Sequence, residues 1–267
     1  MDGPSTDAIA SLLSKQRLGN RFFAPDPSEV EIERLPFSGC IKKQMGTHTV
    51  LCLPDYPPRR DVAPETCVHR FVSVLDNSHI RATLESIWRL RLKDTTASVS
   101  ISNVGGYHSA EESIFSVSDG KFFSGTDESF LSVDVQRILA DTLASFRRED
   151  KYGNMEPRRK EENITEASES PSLSGHLLLR TQKAPFKHSF YYLPIPPTSN
   201  SLVIFPGYQP HAVVGSSCNG RVSVAMNVNF QDDANFSVTA WCNINNENDY
   251  NVLHDHDEHD FAVVLYL

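Results

Sequence analysis

A chain of 267 residues with 39% apolar and 22% charged content has the composition of a globular protein, enough for one large β-rich domain or two small ones. Its net charge of -9 argues against nucleic acid or an anionic membrane as the main partner. The opening stretch MDGPSTDAIASLLSKQ lacks a basic segment followed by a long apolar one, and every apolar run is too short to span a bilayer. Five cysteines (Cys40, Cys52, Cys67, Cys218, Cys242) are scattered and never form CxxC, which fits reduced thiols and not a disulfide framework or a zinc ribbon. A cytoplasmic protein is expected.

In chain order, residues 1–20 offer a short helix carried by Ile9, Leu12 and Leu13. Strands are expected around 30–35 and 47–53. Asp76-Asn77-Ser78 supplies N-cap oxygens. Behind it Ile80, Leu84, Ile87, Trp88 and Leu92 recur at helical spacing, so a helix is expected over 79–93 with this stripe in the core. A short strand at 97–101 leads into Ser102–Glu112, where Gly105-Gly106 calls for positive φ or close backbone approach. His108 and Glu111 have metal-ligand chemistry but are expected to cap a turn. A second helix is expected over 127–148, capped by Thr126 or Asp127, with Leu131, Val135, Ile138, Leu139, Thr142 and Phe146 on its inner face. Residues 151–174 are polar and charged, contain Pro157 and Pro171, and read as a linker.

From residue 175 the pattern turns to β. Strands are expected at 176–181, 189–195, 201–205, 212–215, 222–230, 236–245 and 261–267, separated by Pro, Gly and Asn turns. This is the signature of a sandwich or jelly roll, with the helices of the first half covering one sheet face. The expectation is one domain over 1–267: a helical part at 1–150, the linker at 151–174 and a β core at 175–267.

Two stretches carry chemistry. The first is NVLHDHDEHDFAVVLYL, residues 251–267, in which His254, His256 and His259 are interleaved with Asp255, Asp257, Glu258 and Asp260. Imidazole and carboxylate together suit a divalent transition metal. The apolar run that follows reads as a buried strand, so this is not a solvated tail. In extended chain, residues i and i+2 share a face, which lets His254 and His256, or His256 and Glu258, point the same way. The second stretch runs from Asn200 to Phe230. It reads as a strand, a Pro-Gly turn, His211, a strand, a polar turn, and Arg221 opening another strand. A hairpin is expected to place His211 and Arg221 on facing strands. A guanidinium there suits a carboxylate, and Ser223 shares its face.

These residues resemble a known family. LVIFPGYQPHAVVGSSCNGRVSVAMNV (202–228) looks like the distal-His and Arg segment of iron(II)/2-oxoglutarate-dependent oxygenases, with an apolar strand, Phe-Pro, a His, and about ten residues to an Arg followed by x-Ser. AWCNINNENDYNVLHDHDEHDFAVVLYL (240–267) resembles the proximal segment of one subgroup, W-x-N-x-x-x-x-G-D-x-N-x-x-H-x-H before a strand. Asn248 stands where that pattern has Gly, and Asn also tolerates positive φ. SNVGGYHS (102–109) resembles an upstream element of the same subgroup. The three segments cover roughly a quarter of the chain.

The resemblance implies a double-stranded β-helix (jelly roll, cupin-like) that holds Fe(II) and uses 2-oxoglutarate and O2. It implies oxidation of a small molecule, such as an amino acid or secondary metabolite, through an iron(IV)-oxo species with release of succinate and CO2. It assigns His211 as distal ligand, His254 as first proximal ligand, Arg221 as clamp on the cosubstrate's far carboxylate and Ser223 as a helper. The remaining ligand is His256 or a carboxylate such as Glu258, with Asp255 and Asp257 orienting ligands from behind. Asn243 and Asn251 are candidate substrate contacts, and Tyr191 and Tyr192 are candidates to reach the cosubstrate. In the family the proximal motif precedes the distal one. Here it follows, so a circularly permuted arrangement is expected. Moving 232–267 to between the second helix and the strand at 176 restores the usual order. The alternatives are a cupin-like metal enzyme that needs no 2-oxoglutarate, and a non-catalytic jelly-roll binding module.

Overall fold

The structure is a computed structural model that describes residues 41–45, 47–52, 67–94, 103–125, 129–151, 173–183, 190–232, 234–256 and 258–267. In chain order its elements are β1 (Ile41–Met45), β2 (His48–Cys52), β3 (Cys67–Val72), α1 (Asn77–Lys93), β4 (Asn103–Val104), β5 (Tyr107–His108), β6 (Glu112–Ser118), β7 (Lys121–Ser124) and α2 (Val133–Lys151). There follow β8 (Leu177–Lys183), β9 (Phe190–Ile195), β10 (Ser201–Pro206), β11 (His211–Val213), β12 (Arg221–Phe230), β13 (Phe236–Asn245), β14 (Tyr250–His254) and β15 (Phe261–Tyr266). The protein is mainly β, as expected, with every strand pair antiparallel.

The strands form two sheets. The larger runs β1-β2-β3-β10-β15-β12-β13-β6-β7, with β5 also on β13, and the smaller runs β4-β14-β11-β8-β9. Strand alternation explains the layering, because successive side chains of a strand leave opposite faces. On β12, β13 and β15 one face carries Val224, Val228, Val238, Cys242, Val263 and Leu265, which join a core with the apolar stripes of the helices. The other face of the large sheet turns Val203, Phe205, Ala262 and Tyr266 toward Leu177, Leu179, Leu193 and Ile195 of the small sheet. The candidate site residues lie between the two sheets.

The helices follow from local signals. Asp76 Oδ1 accepts from the His79 N–H at 2.9 Å, capping α1 as its sequence required. Ile87 is fully buried on the inner face, and Ile80 and Leu84 pack against the core. Trp88 and Leu92 do not belong to the stripe: they are 44% and 81% exposed, because they lie round the helix from the line through Ile80, Leu84 and Ile87. The second helix begins at Val133, six residues later than expected. Ser132, not Thr126 or Asp127, offers its Oγ to the Val135 N–H. Val135, Leu139, Leu143 and Phe146 are its buried face.

The strand expected at 47–53 is β2, whereas β1, β3, β6 and β7 were not expected. β1 to β3 extend one edge of the large sheet, and β6 and β7 the other. The expected helix within 1–20, the strands at 30–35 and 97–101, and almost all of the 151–174 linker lie outside the described residues. Among the described residues, no helix is long and apolar enough to cross a membrane.

Candidate metal centre and its cavity

The centre is assembled where two turns meet. After β10, the Gly207 to Pro210 turn reverses the chain, with the Gln209 N–H donating to the Pro206 carbonyl at 3.0 Å and the Gln209 side-chain amide to the Arg180 carbonyl. β11 then starts at His211, whose Cα pairs across the sheet with His254, the last residue of β14. The loop that follows is fastened back onto the same turn. The His256 N–H donates to the Gly207 carbonyl at 2.8 Å, and the Gly207 N–H to the Asp260 carbonyl at 2.9 Å. A Cβ on Gly207 would collide with the His259 carbonyl oxygen and lie 2.9 Å from that of His256, so only glycine lets the turn and the histidine loop approach this closely.

His211, His254 and His256 each offer a ligand atom, and these atoms lie within 4.8 Å of one another. Carbonyl oxygens only accept, so the contacts of His211 Nδ1 with the Gln209 carbonyl (3.0 Å) and of His254 Nδ1 with the Val252 carbonyl (2.7 Å) put the proton on Nδ1 in both rings. Each Nε2 is then left with a lone pair, which is how protein scaffolds orient metal-binding imidazoles. The His256 ring is placed by stacking: its centroid is 5.1 Å from that of His211 at 12° and 5.8 Å from that of Trp241 at 19°.

Burial lowers the pKa of all three rings and so favours their neutral form. His211 lies well below its ordinary value through burial first and then the charges of His254 and His256. His254 is lowered chiefly by burial. His256 is pushed down to about 3 by burial, with His254 and His259 adding to it.

The cluster opens into a cavity between the sheets with about 550 Å³ of empty space, counting the part open to solvent. Arg221 and Ser223 line it from β12, Trp241 and Asn243 from β13, Asn251 from β14 and Tyr266 from β15. His211 and Arg221 do not face each other in a hairpin. They open strands of different sheets and look into the cavity from opposite walls, because the turn between β11 and β12 carries the chain from one sheet to the other. Arg221 Nη1 donates to the Gly175 carbonyl at 2.6 Å, while its buried Nε has no protein partner. Gly175 sits at φ 68°, and a Cβ there would stand 2.7 Å from Arg221 Nη1, so this approach too depends on glycine. Burial lowers the Arg221 pKa, and the nearby Tyr266 and Asp249 partly restore it. Tyr266 is pushed up to about 12 by burial and remains a phenol.

Other candidates fall elsewhere. Glu258 is exposed and stands apart from the three-histidine cluster, and Asp255 is exposed. Asp257 and the Tyr191 side chain lie outside the described residues, and Tyr192 does not line the cavity. His108 lies in β5, where its Nδ1 bonds the Ser109 carbonyl at 2.7 Å and its ring stacks on Trp241. Glu111 accepts from Asn227 and Thr239. Gly105 and Gly106 both have positive φ and closely abut Asp249, and Asn248 has φ 68° where the family pattern carries Gly. Trp241 and Tyr266 were not anticipated, although each sits two residues from a cavity-lining position on its own strand, Asn243 and Val264. No protein-family model matches the chain, and no curated protein and no solved structure matches it either.

Proposed function

We propose that this chain is an iron(II)/2-oxoglutarate-dependent oxygenase of a small molecule, built on a circularly permuted double-stranded β-helix. The observation that carries the reading is the sharing of one cavity by three convergent histidines and a buried arginine. The strand order supports the fold. β10-β15-β12-β13 and β14-β11-β8-β9 supply four core strands to each sheet, and from β8 to β15 the chain crosses between sheets at five of seven connections. Joining β15 to β8 would make the path continuous, which is the relation expected of a permuted chain.

The donor set fits a divalent transition metal: three neutral imidazoles, two of them with Nε2 left open by their Nδ1 contacts. Iron(II) held there would, with 2-oxoglutarate and dioxygen, supply the oxidation of a substrate C–H bond while the cosubstrate is converted to succinate and CO2. The chain's own residues bind and orient. Arg221 is the group to take the cosubstrate's far carboxylate, with the Ser223 hydroxyl on the same face. Asn243 and Asn251 offer carboxamides to the substrate, and Phe205, Val213 and Leu177 form an apolar wall that excludes water. A cupin-like enzyme that binds no 2-oxoglutarate is the second reading, favoured by one observation: the cluster contains three histidines and no carboxylate.

The two part on Arg221. Anaerobic addition of iron(II) and then 2-oxoglutarate to metal-free protein should raise the weak visible charge-transfer band of the chelated cosubstrate. Arg221→Ala should keep the metal and lose about thirtyfold or more in 2-oxoglutarate affinity, as removing a buried charged partner does. Metal binding with no band, or an Arg221→Ala variant with unchanged affinity, would favour the cupin-like reading.

A further inference from the structure

The cavity is one-sided in its chemistry. Among the described residues, no Asp or Glu lines it. Arg221 brings a cation, and its Nε has no protein partner. Ser223 and Tyr266 bring hydroxyls. Asn243 is only 7% exposed, and its buried Oδ1 also has no protein partner, so the carboxamide has an unused hydrogen-bonding atom for a ligand. Three imidazoles add no negative charge, so a divalent ion among them keeps its full charge, where a set of two histidines and one carboxylate would cancel half of it. Asp249 is near enough to act on Arg221 but is not in ion-pair contact with it. Its Oδ2 accepts from the Asn246 N–H at 2.6 Å, outside the cavity wall.

With a divalent ion and Arg221 in place, a dianionic 2-oxoglutarate leaves positive charge uncompensated in a partly buried space. Such charge is costly unless a ligand brings its counterpart. We infer that the molecule oxidised in this cavity is itself an acid, carrying one carboxylate or comparable anion and no ammonium group. The inference rests on the metal and cosubstrate reading above. It narrows the substrate from small molecules in general to monoanions, and it turns away amines and zwitterionic amino acids.

The test is a charge series at constant shape. Oxygen-free full-length protein loaded with iron(II) and 2-oxoglutarate is titrated calorimetrically with butyrate, butyramide and butylammonium, and the visible cosubstrate band is followed in the same samples. Butyrate should bind at least about tenfold tighter than butyramide with the band retained, and butylammonium should give no binding. In His256→Asp, which restores a ligand carboxylate, the preference for butyrate should shrink by a similar factor. If that variant does not hold iron, the native series decides alone. Equal or better binding of butyramide or butylammonium, no binding of butyrate, or butyrate binding only as the band bleaches, overturns the inference and leaves the metal reading standing. Protein that takes up no iron, or shows no band, overturns both.

Discussion

One methyl group at Gly207 would collide with the loop that carries His256 and His259. The turn holding Gly207 positions His211 on one side and accepts the His256 N–H on the other, with no room for a Cβ between it and the His259 carbonyl. Gly207→Ala should therefore push the histidine loop outward and weaken metal binding at least about tenfold, a loss of about 1.4 kcal/mol, read by competition with a chromophoric chelator. Gly215→Ala is the control. Its added Cβ would meet Asn248 only at ordinary contact distance, 3.5 Å, and should leave metal affinity unchanged. Equal affinities in the two variants would show that the loop finds its place without the glycine. At this scale much of the site was legible. His211, Arg221, Ser223, Asn243, Asn251, His254 and His256 all reach the cavity: the two-residue period of a strand relates Arg221 to Ser223, a register shift between β11 and β14 accompanies the three-residue spacing of Asn251 and His254, and His256 lies in the loop just past β14. Glu258 was a plausible ligand only while that period was extended past the end of β14, into a loop where it no longer applies. Gly175 and Gly207 were not legible as site residues, since their importance lies in contacts with segments distant in sequence.

Among the elements, β15 has the most consequence for its length. It pairs with β10 on one side and β12 on the other. Phe261, Val263, Leu265 and Tyr266 are all buried. At about 1.5–3 kcal/mol for each large side chain, their burial is comparable with the whole stability of a domain, about 5–15 kcal/mol. Deleting 261–267 should abolish soluble folding; a soluble truncated protein that melts cooperatively would refute that. Most strands of the second half were readable because each pairs alternation with clear turn residues; β14 was not, because its residues read as the loop entering the last strand. The start of α2 was not, because Asp127 and Thr126 mimic a cap that Ser132 supplies. The β6–β7 hairpin was missed although its signal was present. Asp119-Gly120 takes φ 51° and 72°, the left-handed pair that a tight hairpin turn demands, and apolar residues flank it.

For the whole molecule, the order of segments and the order of strands in space are separate matters, and only the first can be read from a sequence. The late position of the proximal histidines was visible. The pairing of β15 between β10 and β12, and of β14 beside β11, was not, because nothing local specifies a partner so far along the chain. If the permuted reading is right, a chain with 232–267 moved to precede residue 173, joined by a short flexible linker, should fold cooperatively and bind metal within about threefold of the native order. Its unfolding transition and metal titration are the readouts, and an insoluble or metal-free product would count against permutation. The central place of β15 also has a consequence for synthesis. β10 and β12 leave the ribosome first, with a strand's width missing between them. At about 5–20 residues per second, the 30 residues 231–260 between β12 and β15 keep that slot open for a few seconds. A ribosome stalled before residue 261 would hold out two unpaired strand edges, the kind of surface to which chaperones and other nascent chains bind.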